Sequence, residues 1–333
     1  MSDSNEPVRL GVVGLGWWGG ELADAAARSG AAEVVACYAR TESARLAFAA
    51  ERGCRAATSL GDLITADDVE GVILATPHSI HGDQIREVAA AGKAVLVDKP
   101  FTLSTTDGRS AVAAAADAGT VLMVGHQRRR LAAVRRIRAL VDEGTLGTPL
   151  LATSVFAVGR GFPATWRSSR DESPLGGMTG LGVHMIDTFH YLVGPIRRVS
   201  AFSNGVLAGE PLDHATGLLF EFTSGAVGNL VTSHYTPVTE ELCIFGSVAS
   251  ASSHNEGSRL FTQQRGEMDR NEVPLEEIDA LAEQLAEFAG AVRGTSVPET
   301  DGEVGLAVIA VLEAAVASVE RGEAVAVAEF AGD

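Results

Sequence analysis

Lys99, His184 and the glycines at 14, 16 and 19 are the residues whose types and spacing could do chemistry in this chain. In RLGVVGLGWWGG, Gly14, Gly16 and Gly19 lie between a Val-rich run and an Ala-rich stretch. Gly14 permits a tight turn, Gly16 lets the backbone approach a pyrophosphate, and Gly19 permits close helix–strand packing. The helix N-terminus behind them offers free N–H groups and a positive dipole end. With Leu15, Trp17 and Trp18 they form a candidate phosphate loop for a dinucleotide. Lys99 follows Asp98 and precedes Pro100 in LVDKPFT, at the end of an apolar run. Strand carboxyl ends in an open α/β sheet face the ligand crevice. A lysine beside a cofactor in a desolvated cleft can relay a proton, which an always-charged arginine cannot. His184, in GGMTGLGVHMID, carries an imidazole suited to taking a hydroxyl proton near neutral pH. Asp187, three residues on, shares a helix face with it. It either orients the imidazole or is a helix-internal residue.

Around these lie the residues that would bind ligands. An acid is expected ~20 residues after the glycine loop to bind the ribose 2′-OH, but VVACYARTES has none at the strand end. Ala39 removes the group that would repel a 2′-phosphate, and Arg40 with Thr41 could pair with one, which favours NADP slightly over NAD. Arg40 stacked on the adenine would serve NAD equally. ATPHSIH places Ala75, Thr76, Pro77, His78 and His81 at another strand end, with His81 capping the next helix or facing the cofactor. GHQRRR offers Gln127 to the cofactor and His126 and Arg128 to the substrate, its later arginines falling on a solvated helix face. Trp166 and Arg167 suit a polyhydroxylated or carboxylated substrate; alternatively Trp166 packs at a domain interface and Arg167 pairs with an acid. His184, Asp187 and His190 lack the spacing of a zinc helix, so no metal is expected.

Elements that could position these residues are legible as alternating periodicities. Apolar runs at Arg9–Val13, Val34–Tyr38, Gly71–Ala75, Ala94–Val97 and Val121–Val124 alternate with Ala-rich helical stretches. That pattern predicts a doubly wound parallel sheet. After Gly125, a basic amphipathic helix precedes strand-like runs at Leu150–Val158, Val199–Asn204, Ala215–Phe222, Ala226–His234 and Glu241–Gly246, with helices again at Leu275–Arg293 and Glu303–Glu320. The expected division is a Rossmann domain over 1–125, an α+β substrate and oligomerisation domain over 126–300, and a C-terminal helix and tail over 301–333 that packs back on the first domain. The loop 161–174, with Pro163, Arg167 and Arg170, is the expected mobile segment.

Composition bounds the partners. With 43 acidic against 26 basic residues, the net charge is −17. That argues against nucleic acid and against an anionic membrane surface. Only Lys93 and Lys99 are lysines. Three cysteines without a CxxC pair give neither a disulfide framework nor a zinc site. No run reads as a signal peptide or a membrane span, so a cytoplasmic location is expected.

GLGWWG, TPHSIH, DKP, GHQRRR and GGMTGLGVHMID, in this order and spacing, resemble the Gfo/Idh/MocA family of nicotinamide-dependent oxidoreductases, with DKP where the family commonly has EKP. The resemblance covers essentially the whole chain. It implies an N-terminal Rossmann half and a C-terminal α+β half with an open, mainly antiparallel sheet. It implies that Lys99 contacts substrate hydroxyl and cofactor, that Thr76 and Pro77 line the nicotinamide side, and that His184 is the base. Members commonly carry an Asp four residues before that His; Gly180 stands there instead. The expected activity is hydride transfer between NAD(P) and a secondary alcohol or ketone of a sugar, cyclitol or related polyol. Two alternatives are a sugar-modifying lyase or glycosidase using tightly bound NAD transiently, and a catalytically silent cofactor or sugar-binding regulator. A homodimer or homotetramer through the C-terminal sheet is expected, because an uncovered apolar face is costly in a monomer.

Overall fold

The computed structural model describes residues 6–162, 164–210 and 212–332; Pro163 of the loop 161–174 lies outside them. The chain divides into two units, residues 1–127 with 279–305, and residues 128–278 with 306–333.

The first unit opens with β1 (Val8–Val13), α1 (Trp17–Ser29), β2 (Ala32–Tyr38), α2 (Glu42–Arg52), β3 (Arg55–Ala56) and α3 (Leu60–Ile64). It continues with β4 (Gly71–Leu74), α4 (His81–Ala90), β5 (Ala94–Val97), α5 (Thr105–Asp117) and β6 (Leu122–Val124). The six strands are parallel, in the order β3-β2-β1-β4-β5-β6. Every residue of β4 and β5 is buried, which is why those runs are apolar without alternation. α1 and α2 end on Gly30 and Gly53 in the left-handed region, where a side chain would be strained. The strand order reverses between β1 and β4, creating the switch point at which ligands bind such sheets. Lys93 serves the fold: its ammonium donates to the carbonyls of Ala66 at 3.1 Å and Val69 at 2.7 Å.

The second unit holds α6 (Ala132–Asp142), β7 (Pro149–Ala157), α7 (Val183–Val193), β8 (Ile196–Asn204), β9 (Ala215–Phe222) and β10 (Val227–Ser233). β11 (Thr239–Gly246), β12 (Ala249–His254), β13 (Arg259–Gln264) and β14 (Asn271–Val273) follow. Its sheet runs β14-β13-β12-β11-β7-β10-β9-β8-β15, where β15 is Val325–Ala326. The pairing is antiparallel throughout except between β7 and β10. Strand alternation sends Leu218, Phe220, Leu230 and Leu242 into the core beneath α7. On the opposite face, Phe202 is 81% exposed, and Leu219, Val231, Val155 and Phe245 are exposed too.

The fold class is the one expected, but the chain's return to the first unit is not. The expected C-terminal segment 301–333 mostly belongs to the second unit; it is α8 (Ala280–Val292) that completes the first. Leu285, Phe288 and Ala289 of α8 pack into the core of β1, β2 and α1. Asp279 caps α8 by accepting from the Ala282 N–H at 3.0 Å, and Arg28 of α1 donates to it at 2.7 Å. α9 (Gly302–Arg321) instead buries Val308, Val311, Leu312 and Ala315 in the second unit's core. Contrary to the sequence reading, α9 is long and apolar enough to cross a membrane by length and composition, and most of it is buried. Its apolarity is that of a core helix.

Candidate functional site

In the first unit, β1 delivers the chain to Gly14, which adopts φ +92°. A Cβ there would lie 2.4 Å from the Ala75 carbonyl oxygen, and one at Gly19 would lie 2.0 Å from the Gly14 oxygen. Both glycines are therefore required by close backbone packing, Gly14 against the end of β4. Gly16 differs: a Cβ on it would meet nothing within 4 Å. It is the N-cap of α1, with no side-chain cap and no acid in the first turn. Free helix N–H groups opening onto unfilled space above a switch point suit a dinucleotide pyrophosphate. Leu15 packs into the core, Trp18 is half-buried beside it, and Trp17 is largely exposed, its ring 5.4 Å from that of Trp18.

At the end of β2, Ala39 is half-buried and Arg40 and Thr41 are exposed. Arg45, one turn into α2, reaches back with Nη1 3.5 Å from the Ala39 carbonyl. Sequence reasoning passed over it, although its place three residues after Glu42 at a helix start was visible; the pair lies 3.7 Å apart. A second guanidinium thus stands at the same rim.

Ala75, Thr76 and Pro77 follow β4, and buried His78 begins a short 3-10 turn. His81 resolves towards structure. It is fully buried, its Nδ1 is 3.0 Å from the Pro100 oxygen and its Nε2 is 3.0 Å from the Thr76 oxygen. It ties the TPH turn to the DKP turn. Asp98 is buried, Lys99 is half-buried, and the Lys99–Pro100 bond is cis. Asp98 donates its N–H to the Leu74 carbonyl at 2.8 Å, holding the end of β5 against the end of β4. His126 is buried and Gln127 half-buried after β6. The structure thus gathers Gly14, Thr76 and Lys99 on the carboxyl edges of three adjacent strands.

In the second unit, one turn of π-helix, Met178–Gly182, runs into α7. π-turns are frequent at functional positions. A Cβ at Gly176 would sit 2.5 Å from the Asp213 oxygen and one at Gly182 2.0 Å from the Met178 sulfur, so much of this glycine content is packing. Gly180 is different, with open space where a Cβ would be. His184 is buried on the first turn of α7, its ring 6.4 Å from that of Phe156. Trp166 and Arg167 lie on a short 3-10 turn, and the guanidinium stacks 4.1 Å over its neighbour's indole.

Three expectations are corrected here. Asp187 has its carboxylate turned to Arg129, not to His184. It is 0% exposed, and both its carboxylate oxygens accept from the Arg129 guanidinium, at 2.6 to 3.1 Å. The arginines after Arg128 do not lie on a solvated face either. The 3-10 turn Gln127–Arg130 directs them inwards, leaving Arg129 and Arg130 buried. Arg128, expected to reach for substrate, instead meets the buried carboxylate of Glu240 at 2.6 Å and lies 4.9 Å over Phe156. Glu240 and Phe156 escaped the sequence reading. The signal for Glu240 was phase: it lies two residues before Leu242 and four before Ile244, on the inward face of β11. Among the described residues no group of three His, Cys, Asp or Glu side chains could hold a metal.

Known proteins align with this arrangement from end to end. The sequence model described as "Oxidoreductase family, NAD-binding Rossmann fold" matches residues 8–126, and that of the "GFO/IDH/MocA C-terminal domain" matches residues 134–252. The chain is 28% identical over 330 residues to a 1,5-anhydro-D-fructose reductase of Ensifer adhaerens, covering 95% of this chain and 97% of the relative. It is 29% identical to a D-apiose dehydrogenase of Paraburkholderia graminis, over 88% of this chain and 83% of the relative. A crystal structure from Desulfitobacterium hafniense, of a protein assigned as an NADPH-dependent oxidoreductase, superposes with a TM-score of 0.93 at 28% identity, covering 98% of this chain and 99% of that one. The chain belongs to the Gfo/Idh/MocA family and is an NAD(P)-binding dehydrogenase or reductase.

Proposed function

We propose that this protein transfers a hydride between NAD(P) and a secondary alcohol or ketone of a sugar, cyclitol or related polyol. The observation that carries the reading is Lys99, at the end of β5, on the same sheet edge as the open glycine turn. The glycine turn holds the pyrophosphate through its N–H groups, and Thr76 and Pro77 line the nicotinamide side. When bound, the nicotinamide supplies the hydride acceptor or donor. Lys99 donates a hydrogen bond to the substrate oxygen and stabilises the developing alkoxide. His184 takes the hydroxyl proton in oxidation and returns it in reduction. The sugar-active relatives support this substrate class. The reading is tested by fluorescence-detected binding of NADH and NADPH, followed by an oxidation screen of sugars and cyclitols with the preferred cofactor. Binding without turnover of any member would overturn it.

NADP is the favoured cofactor, because Arg40 and Arg45 stand at the β2 rim with no acid at the strand end. A guanidinium–phosphate pair is worth ~10–100-fold in affinity. Arg40→Ala should therefore weaken NADPH binding by about that factor and leave NADH binding nearly unchanged. Equal losses for both would assign Arg40 to the adenine instead.

Self-association through the uncovered sheet face is part of the proposal, since Phe202, Leu219 and Val231 present apolar surface there. Light scattering should give a dimer or tetramer mass; a monomeric mass refutes it.

A further inference from the structure

Glu240 enters the core of the second unit from β11, in register with Phe156 of β7. It is 5% exposed. Its Oε1 is 2.6 Å from Arg128 Nη2, whereas Oε2 is buried and has no hydrogen-bond partner among the described residues. Arginine–carboxylate pairs are commonly bidentate. Here one oxygen is used and the other is withheld, in a setting where an unsatisfied charged oxygen is costly.

The surroundings connect this oxygen to His184. Arg128 lies over Phe156, and Phe156 packs by His184. Across Phe156 on the same row of the sheet stands Thr232, fully buried, its hydroxyl also without a partner among the described residues. Gly180, on the turn before His184, leaves open space and supplies no carboxylate. The row therefore holds two buried polar groups lacking partners among the described residues, and Gly180 leaves a cleared position one turn before His184.

We propose that Glu240 is a substrate-binding carboxylate whose Oε2 accepts a hydrogen bond from a hydroxyl of the bound polyol, with Arg128 as the positioning residue that fixes it. The inference rests on the polyol oxidoreductase reading. It adds a specificity: the site requires a hydroxyl donor at one ring position, and an analogue lacking that hydroxyl leaves a buried carboxylate unpaired. Sites of this kind reject the deoxy analogue strongly.

The experiment uses the full-length protein with a panel of D-glucose, D-xylose and myo-inositol under NAD+ and NADP+. The best substrate and its monodeoxy series then serve as the probes. For wild type, one monodeoxy analogue should lose about 100-fold or more in kcat/KM. Glu240→Gln should raise KM for the parent by ~10–100-fold, more than it lowers kcat, and shrink that deoxy penalty to about threefold or less. Because Glu240→Gln strips Arg128 of its counter-ion, a paired variant, Arg128→Met with Glu240→Leu, provides a second reading. Apolar replacement of a whole buried pair is often neutral for folding. It should melt near wild type yet lose probe binding by calorimetry. A wild-type deoxy penalty retained in Glu240→Gln, or wild-type probe affinity in the paired variant, overturns the proposal while leaving the oxidoreductase reading intact. A wild-type protein that turns over no panel member overturns both.

Discussion

Lys99→Ala should lower turnover by about 10²–10³-fold, the range for losing one preorganised donor to a developing oxyanion, while the dissociation constant for NAD(P)H stays close to wild type. The separation follows from where the groups sit. The glycine turn proposed to hold the pyrophosphate comprises Gly14, Gly16 and the N-terminus of α1, whereas Lys99 follows β5, whose end is held to β4 through Asp98. Removing the ammonium leaves the glycine turn and the His81 brace untouched. Stopped-flow hydride transfer and fluorescence titration on the same preparation check both halves. Lys99→Arg should not restore the rate, because the longer, planar guanidinium does not place its N–H where the compact ammonium meets the substrate oxygen. Full activity in Lys99→Ala would remove the lysine from the mechanism.

Asp187→Ala should cost the second unit about 3–5 kcal/mol, because it removes the carboxylate whose two oxygens accept from the buried Arg129 guanidinium. At roughly 2–4 °C per kcal/mol for a unit of this size, its melting transition should fall by about 10 °C. Scanning calorimetry reads this directly. The paired replacement Arg129→Met with Asp187→Leu should recover most of the loss, since the penalty comes from the orphaned charge. A second readout separates stability from catalysis. Below the melting transition, the pH–rate profile of Asp187→Ala should match wild type, since Asp187 is committed to Arg129. In the oxidation direction, where His184 must be unprotonated to take the proton, a displaced acidic limb would return Asp187 to the service of His184.

The first unit was legible because its signals are local. Gly14 and Gly19 are glycines for reasons of backbone clearance, and buried parallel strands such as Gly71–Leu74 are unbroken apolar runs. Lys99 stood out at a strand end because the chain's other basic residues, Lys93 apart, are arginines. The buried arginines were not legible, because Arg129 and Arg130, at the end of a run of three cations, read as solvated, and the carboxylate that makes burial of Arg129 tolerable is the distant Asp187. β12 was missed for a related reason: ASASSH has small polar residues facing both ways, so no hydrophobic period marks it. The assignment of α8 and α9 to opposite units was also hidden. Both are apolar helices, and which core each enters depends on complementary shapes. Gly71, for example, makes room for the Phe288 ring, 3.2 Å from where its Cβ would be.

That last contact bears on how the protein is made. Residues 1–127 leave the ribosome early, but Phe288 and Leu285, which close their core, come only after residues 128–278 have been synthesised. At bacterial-scale elongation of ~5–20 residues per second, the delay is on the order of 10 s. During it, Leu10, Leu22 and their neighbours lack the α8 face that seals them, and the nascent chain offers that surface to chaperones or to other nascent chains. A gene cut after residue 127 would make the unsealed state permanent, so the nucleotide-binding half of this enzyme cannot be obtained intact by dividing the sequence at its apparent boundary.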